Sequence, residues 1–185
     1  MRVISGIAKG KRLKTPPQAR PLTDRAKEAL FNIIRQNVAG CYFLDLFAGS
    51  GAVGIEALSR GAEIAFFVEL NRTAVRIIRE NLSNTKLADR AEVYMVDAFR
   101  ALGSLDKKAA KFDIVYIGAP YDSPKLEDVL AKLGEASLLR ESGFIIAEHR
   151  KQHKLQEVYG SLKAVRETKY GETVLTFYES SNLSG

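Results

Sequence analysis

The sequence predicts an α/β protein: a mainly parallel sheet with helices on both faces, closed at one edge by an antiparallel hairpin. Three observations carry this. Five short apolar runs, CYFLDLF, EIAFFVEL, AEVYMVD, FDIVYIG and GFIIAEH, alternate with stretches of helical spacing that begin after Gly51, Asn71, Asp97 and Pro124. Parallel strands need a crossover to return and a helix is its usual form, so repeated strand–helix units imply a sheet covered on both sides. The first run opens into the glycine-rich loop Ala48-Gly49-Ser50-Gly51-Ala52-Val53-Gly54. The last segment, SLKAVRETKYGETVLTFYES, alternates without a helix and turns at Gly171, the pattern of an antiparallel pair.

With 185 residues, 46% of them hydrophobic, the chain suffices for one well-buried core and falls short of two. A single domain is expected over 1–185, divided into a basic arm (1–22), a linking helix (23–39), the body that holds the chemistry (40–179) and a frayed tail (180–185) ending in SSNLSG. No run approaches the roughly 18 apolar residues of a membrane span, and MRVISGIAKGK lacks the apolar stretch of a secretory signal. A cytoplasmic protein with no membrane partner is the expectation. Cys41, the one cysteine, heads the first strand and reads as a small core residue, which excludes a disulfide framework and a cysteine-rich metal site.

In chain order, RVIS and KRLKT flank a connection from Gly6 to Gly10 and read as a small basic hairpin. Pro16, Pro17 and Pro21 then hold the chain extended. Thr23 can cap a helix bearing Ala26, Leu30, Ile33, Ile34 and Val38, which Gly40 ends. The formal net charge is +6, yet residues 1–40 hold nine Lys or Arg against Asp24 and Glu28, a net of +7 that leaves −1 for the rest. Charge concentrated in this way fits a protein that holds a polyanion; the alternative is a solvated basic face. Lys9, Lys11, Arg12, Lys14, Arg20 and Arg25 are the expected phosphate contacts, and binding through them would be strongly salt-dependent.

Glycines 49, 51 and 54 have the spacing of a dinucleotide fingerprint, in which missing side chains let the backbone approach a ligand at a helix N-terminus. Glu69 ends the next strand at about the distance expected of a ribose-binding carboxylate. A nucleoside-type ligand follows. Asp45 lies just before the glycines, where it would repel a pyrophosphate and attract a cationic amino-acid group. The sulfonium and ammonium of S-adenosylmethionine therefore suit the loop better than NAD, for which only the glycine spacing speaks. Asp97, ending the third strand, can accept from the exocyclic amine of adenine. Each acid has a plainer role open to it: a helix N-cap for Asp97, a solvated strand end for Glu69, and loop bracing for Asp45.

Together DLFAGSGAVGIEALSRGA, the Glu69 strand end, VDAF and the APY loop resemble a class I S-adenosylmethionine-dependent methyltransferase. VISGIAKGKRLKTPP and RPLTDRAKEALFNII resemble the bacterial small-subunit (16S) ribosomal RNA guanine-N2 methyltransferases, the RsmD type, and the similarity runs from Arg2 through KYGETVLTFY. The resemblance implies a Rossmann-like, seven-stranded sheet closed by the C-terminal hairpin, with S-adenosyl-L-methionine as cofactor. It implies that Gly49, Ser50 and Gly51, with Ala48 beside them, hold the methionine end. Glu69 and Asp97, with Ala98, would hold ribose and adenine, and RPLTDR, including Thr23, would lie beside cofactor and substrate. The implied partner is small-subunit ribosomal RNA or the assembling 30S subunit, with no metal and no required oligomer.

In that family the loop after the fourth strand is an Asp or Asn followed by Pro-Pro and an aromatic. Acceptors there hold the N–H groups of a poor nucleophile, an exocyclic amine, and orient its lone pair; the aromatic stacks on the flipped base. Here the corresponding residues are Gly118, Ala119, Pro120 and Tyr121. Tyr121 and the Ala119 carbonyl fit, but the carboxylate is absent, a loss on the order of ten to a thousandfold in rate. Asp122 is either a substitute or a solvated turn carboxylate. Two readings follow from Gly118: an enzyme that works by positioning, and an RNA-binding module that keeps the cofactor pocket with weak or no turnover. Methylation of adenine N6 in DNA or RNA is the nearest alternative chemistry. His149 and His153, placed after the last parallel strand, read as surface or loop-bracing residues.

Overall fold

A computed structural model describes residues 1–183, so the last two residues of the expected tail lie outside it. The helices α1 (Asp24–Ile33) and α2 (Arg35–Val38) precede β1 (Tyr42–Leu46), α3 (Ala52–Ser59), β2 (Ile64–Glu69), α4 (Arg72–Thr85) and β3 (Ala91–Met95). There follow α5 (Ala98–Lys107), β4 (Phe112–Ile117), α6 (Lys125–Glu135), β5 (Leu139–Arg150), β6 (Val158–Tyr159), β7 (Leu162–Tyr170) and β8 (Thr173–Ser180). The helices after Gly51, Asn71, Asp97 and Pro124 start at those points. Asn71 and Asp97 begin theirs as side-chain caps that accept from Ala74 N–H and Phe99 N–H, satisfying donors with no partner inside the helix.

The strands form one sheet in the order β3-β2-β1-β4-β5-β8-β7-β6. β3, β2, β1, β4 and β5 are parallel, and β8, β7 and β6 join antiparallel. The seven expected strands are all there. The eighth, β6, has two residues and pairs only with β7, too short to carry a periodic signal in the sequence. Alternate residues of each strand feed two apolar layers: Phe43 packs with Leu30, Ile55, Phe67 and Ile78, whereas Leu44 packs with Leu102, Val115, Leu126 and Leu130. Strand order reverses between β1 and β4, which opens a crevice at the carboxyl ends of the parallel strands. The loops after β1 and β4 leave side by side there, Leu46 pairing with Ile117 and Gly118 N–H donating to the Leu46 carbonyl at 3.1 Å. No helix among the described residues is long and apolar enough to cross a membrane.

The N-terminal arm forms the expected hairpin in short form: Val3 N–H donates to the Lys11 carbonyl at 2.9 Å and Leu13 N–H to the Met1 carbonyl at 3.0 Å. It holds a single antiparallel bridge, Arg2 with Arg12, and buries Val3, Ala8 and Leu13 in the core. Side chains of α3 and α4 satisfy much of its backbone: Ile4 and Ser5 N–H donate to Glu56 (2.9 and 3.0 Å), Ala8 N–H to Ser59 Oγ (3.0 Å) and Lys14 N–H to Asn81 Oδ1 (2.8 Å). Glu56 also meets Lys27 at 3.4 Å and Arg60 at 2.8 Å, and both Glu56 and Lys27 are wholly buried. Burial lowers the ammonium pKa of Lys27, against the pull of Glu56 and Asp24. Such a pair holds when its remaining donors are bonded too, and Lys27 Nζ donates to the Arg2 carbonyl at 2.7 Å. The arm therefore packs as part of the body. The linking helix divides at Ile34, whose ψ of 10° leaves the helical range. At the other end Ser180 closes β8 and Ser181–Leu183 make one 3-10 turn.

Candidate active site

The β1 loop is shaped by backbone conformations that glycine permits. Gly49 and Gly51 have φ of +59° and +76°, the left-handed region that costs glycine nothing. Phe47 shares it at φ +59°, an uncommon state for a bulky residue and one associated with functional strain. A β-carbon at Gly54 would sit 2.4 Å from the Phe67 ring, so only glycine lets α3 lie this close to β2. By contrast nothing lies within 4 Å of a β-carbon built on Gly49. The loop thus presents open space and peptide groups at the start of a helix buried along its whole length.

The acids around the loop brace it. Asp45 is buried and accepts from Gly54 N–H at 3.0 Å; burial holds its carboxyl well above the usual range, the Gly54 bond opposing and Glu69 and Glu148 adding to the rise. A buried carboxylate in this state is relieved by a cation, which fits the ammonium of a methionine moiety. Glu69 accepts from Gly49 N–H and Asn71 N–H, each at 2.9 Å, so its role as a merely solvated strand end is set aside. Asp97 caps α5 through Phe99 and Arg100 N–H (3.0 and 3.4 Å). Ala48 and Ala98 are buried beside the loop and in the first turn of α5. Ser50 is buried, and its carbonyl accepts from Asn81 Nδ2 at 2.9 Å. Asn81, which sequence reasoning missed, also bonds both backbone groups of Lys14.

The β4 loop forms the other wall. Tyr121 is half-buried; its hydroxyl donates to Glu148 and lies 3.2 Å from Thr173 Oγ1. The guanidiniums of Arg20 and Arg150 stand 5.8 and 5.3 Å from its ring centre, within cation–π range. Stacking of a base on this ring would therefore displace or share space with an arginine. Ala119 is buried, Pro120 and Asp122 are exposed, and Gly118 leaves a notch between Tyr116, Phe47 and Glu148. A cleft of about 640 Å³ runs past Tyr121, lined by Arg20, Thr23, Arg25, Arg150 and Lys169 among others. Thr23 also caps α1, accepting from Ala26 N–H at 3.2 Å. The six expected cations divide: Arg20 and Arg25 line this cleft, while Lys9, Lys11, Arg12 and Lys14 are exposed on the arm. Lys14 is paired with Glu80 at 2.7 Å.

His149 corrects the reading of a surface residue: it lies within β5, buried, between the Arg150 carbonyl (2.9 Å) and Thr176 Oγ1 (2.8 Å). His153 braces a loop against Glu127 at 2.8 Å. Among the described residues no group of three or more His, Cys, Asp and Glu side chains is placed to hold a metal ion. Beyond the expected set, Glu148, Tyr116, Thr173, Arg150 and Lys169 join the site. The signal for Glu148 was an acid inside an apolar run near the carboxyl end of a parallel strand, the same pattern that marked Asp45.

A parallel sheet reversing at β1/β4, an open glycine cradle at that reversal and an aromatic loop facing it define a class I methyltransferase. The family model described as Conserved hypothetical protein 95 matches residues 1–179, and the chain belongs to that family. YlbH of Bacillus subtilis (strain 168) is 42% identical over 97% of this chain and 98% of its own length. Ribosomal RNA small subunit methyltransferase D of Escherichia coli (strain K12) is 31% identical over 97% of this chain and 89% of its own, which bears out the RsmD-type resemblance. Among solved structures, the hypothetical protein TTHA0928 of Thermus thermophilus superposes with a TM-score of 0.85 at 32% identity, covering 96% of this chain and 98% of that one.

Proposed function

We propose that this protein methylates the exocyclic N2 of a guanine in small-subunit ribosomal RNA, using S-adenosyl-L-methionine, in the cytoplasm and as a protomer that needs no second copy. The carrying observation is that the loops after β1 and β4 leave side by side, Gly118 N–H bonding the Leu46 carbonyl, so that the open space at Gly49 adjoins the loop whose Tyr121 lines a cation-rich cleft. The relative in Escherichia coli named for small-subunit ribosomal RNA methylation supports the substrate class. Ala48, Gly49, Ser50 and Gly51 would hold the methionine end, with Asp45 beneath it, and Glu69 and Asp97 would offer carboxylate oxygens to ribose and adenine. Bound there, the cofactor supplies a methyl carbon on a positively charged sulfur. The chain's own groups do the rest: Arg20 and Arg25 hold phosphates beside Tyr121, the ring backs the flipped base, and the Ala119 carbonyl takes an amine N–H. Lys9, Lys11, Arg12 and Lys14 extend the phosphate contacts along a ribosomal RNA or an assembling 30S particle.

The test is incubation with methyl-labelled cofactor and undermodified small subunits or their naked RNA. Label in guanine N2 is the expected result, and label in adenine or none in RNA overturns it. A second reading, an RNA-binding protein with little turnover, is favoured by one observation, the absence of a side chain at Gly118. It predicts RNA and cofactor binding without transfer of label.

A further inference from the structure

The carboxyl end of β5 holds a buried acid that the reading above leaves without a task. Glu148 is 6% exposed, and its two carboxylate oxygens accept separately from the hydroxyls of Tyr116 and Tyr121. Burial raises the pKa of Glu148, and the two hydroxyl donors oppose that rise; in its ionised, acceptor-only form the carboxylate keeps further lone-pair directions for a third donor. A β-carbon built at Gly118 would lie 3.8 Å from Glu148 Oε2, 3.7 Å from the Phe47 carbonyl oxygen and 3.2 Å from Tyr116 Cε1. An amine nitrogen is not bonded to Gly118 and so seats farther out than that carbon, at the mouth of the notch, where Glu148 Oε2 and the Phe47 carbonyl oxygen are the bordering acceptors. The missing side chain at 118 is what keeps the notch open, and the strained Phe47 is what aims its carbonyl there.

We propose that Glu148, reaching in from β5, is the acidic acceptor of this site: it takes an N–H of the incoming exocyclic amine at the mouth of the notch that a side chain at 118 would fill. Its bonds to Tyr116 and Tyr121 fix its rotamer and steady the Tyr121 ring, so that amine and base are held by one connected group. This assignment rests on the chain being an amine methyltransferase. It turns the feature that favoured weak turnover into a relocated acceptor, carried on the strand next to the one that lacks it.

The test uses Glu148→Gln, which keeps the shape of the side chain and exchanges one acceptor for a donor. Guanosine 5′-monophosphate and inosine 5′-monophosphate differ only in the N2 amine; their binding is measured by calorimetry with S-adenosylhomocysteine present. Cofactor affinity, melting temperature and single-turnover transfer to undermodified small-subunit RNA are measured beside it. The wild type should prefer the guanine nucleotide by about tenfold, the size of one hydrogen bond to a charged group, and E148Q should lose that preference. Transfer should slow by about ten to a hundredfold with cofactor affinity and melting temperature unchanged. A wild type indifferent to the amine, an E148Q that keeps the preference, or a loss matched by equal loss of cofactor affinity or stability overturns the proposal. Wild-type protein that neither binds S-adenosylhomocysteine nor transfers label overturns the methyltransferase reading itself, and this assignment with it.

Discussion

On the cofactor side of the crevice the polar side chains bond to peptide groups, whereas on the substrate side they bond to one another. Asp45 holds Gly54 N–H, Glu69 holds Gly49 and Asn71 N–H, and Asn81 holds the Ser50 carbonyl. Across the crevice Glu148 gathers Tyr116 and Tyr121, while Arg20 and Arg150 flank the ring. The first arrangement fixes a backbone shape and leaves that backbone to meet the ligand. The second fixes side chains contributed by separate strands, so an acid can sit on β4 or β5 and serve the same point in space. One half is constrained in conformation, the other in composition.

The braced half should fail as structure before it fails as chemistry. Glu56→Ala strands Lys27 and two arm N–H groups, and should cost about 3–5 kcal/mol in urea unfolding; a loss below about 1 kcal/mol, the size of an exposed pair, would detach the arm from this account. Gly54→Ala drives a methyl group into Phe67 and should cost about 1–3 kcal/mol, with cofactor affinity in calorimetry falling more than stability alone explains. Replacing Lys9, Lys11 and Arg12 with Gln touches only exposed side chains. RNA affinity should then lose about 2–3 units of its logarithmic salt slope while cofactor binding and melting temperature hold; a parallel fall in cofactor binding would blur the two halves.

The smallest effect is a pH dependence. Burial lowers the His149 pKa from its ordinary 6.5, and its Nδ1–H donates to the Arg150 carbonyl while Nε2 accepts from Thr176. The unfolded chain therefore binds the proton more readily, so this stabilisation is complete above the ordinary value and is lost as pH falls through the lower folded one. Urea midpoints between about pH 7 and pH 5, the range in which histidine changes charge, should decline, and less steeply in His149→Gln.

Legibility followed the same division. The cradle could be read because Gly49, Gly51 and Gly54 lie close together in the chain and their spacing is itself the signal. The helix starts were equally local, each a capping residue or proline before an apolar period. An acid in the apolar run GFIIAEH marks the position of Glu148, but its role was not legible, since its partners lie 32 and 27 residues away. The hairpin of the arm was legible from RVIS and KRLKT around Gly6 to Gly10, whereas its packing against the body through Val3 and Leu13 was not.

Asn81 gives the arm a meaning for any shortened form of the chain. Its side chain bonds both backbone groups of Lys14 and the carbonyl of Ser50, so cutting the chain just after Lys14 would leave a buried amide half-satisfied next to the donor's seat. A trimmed variant would loosen its hold on the small molecule and on the nucleic acid at once, and recolouring exposed charges is the cleaner cut.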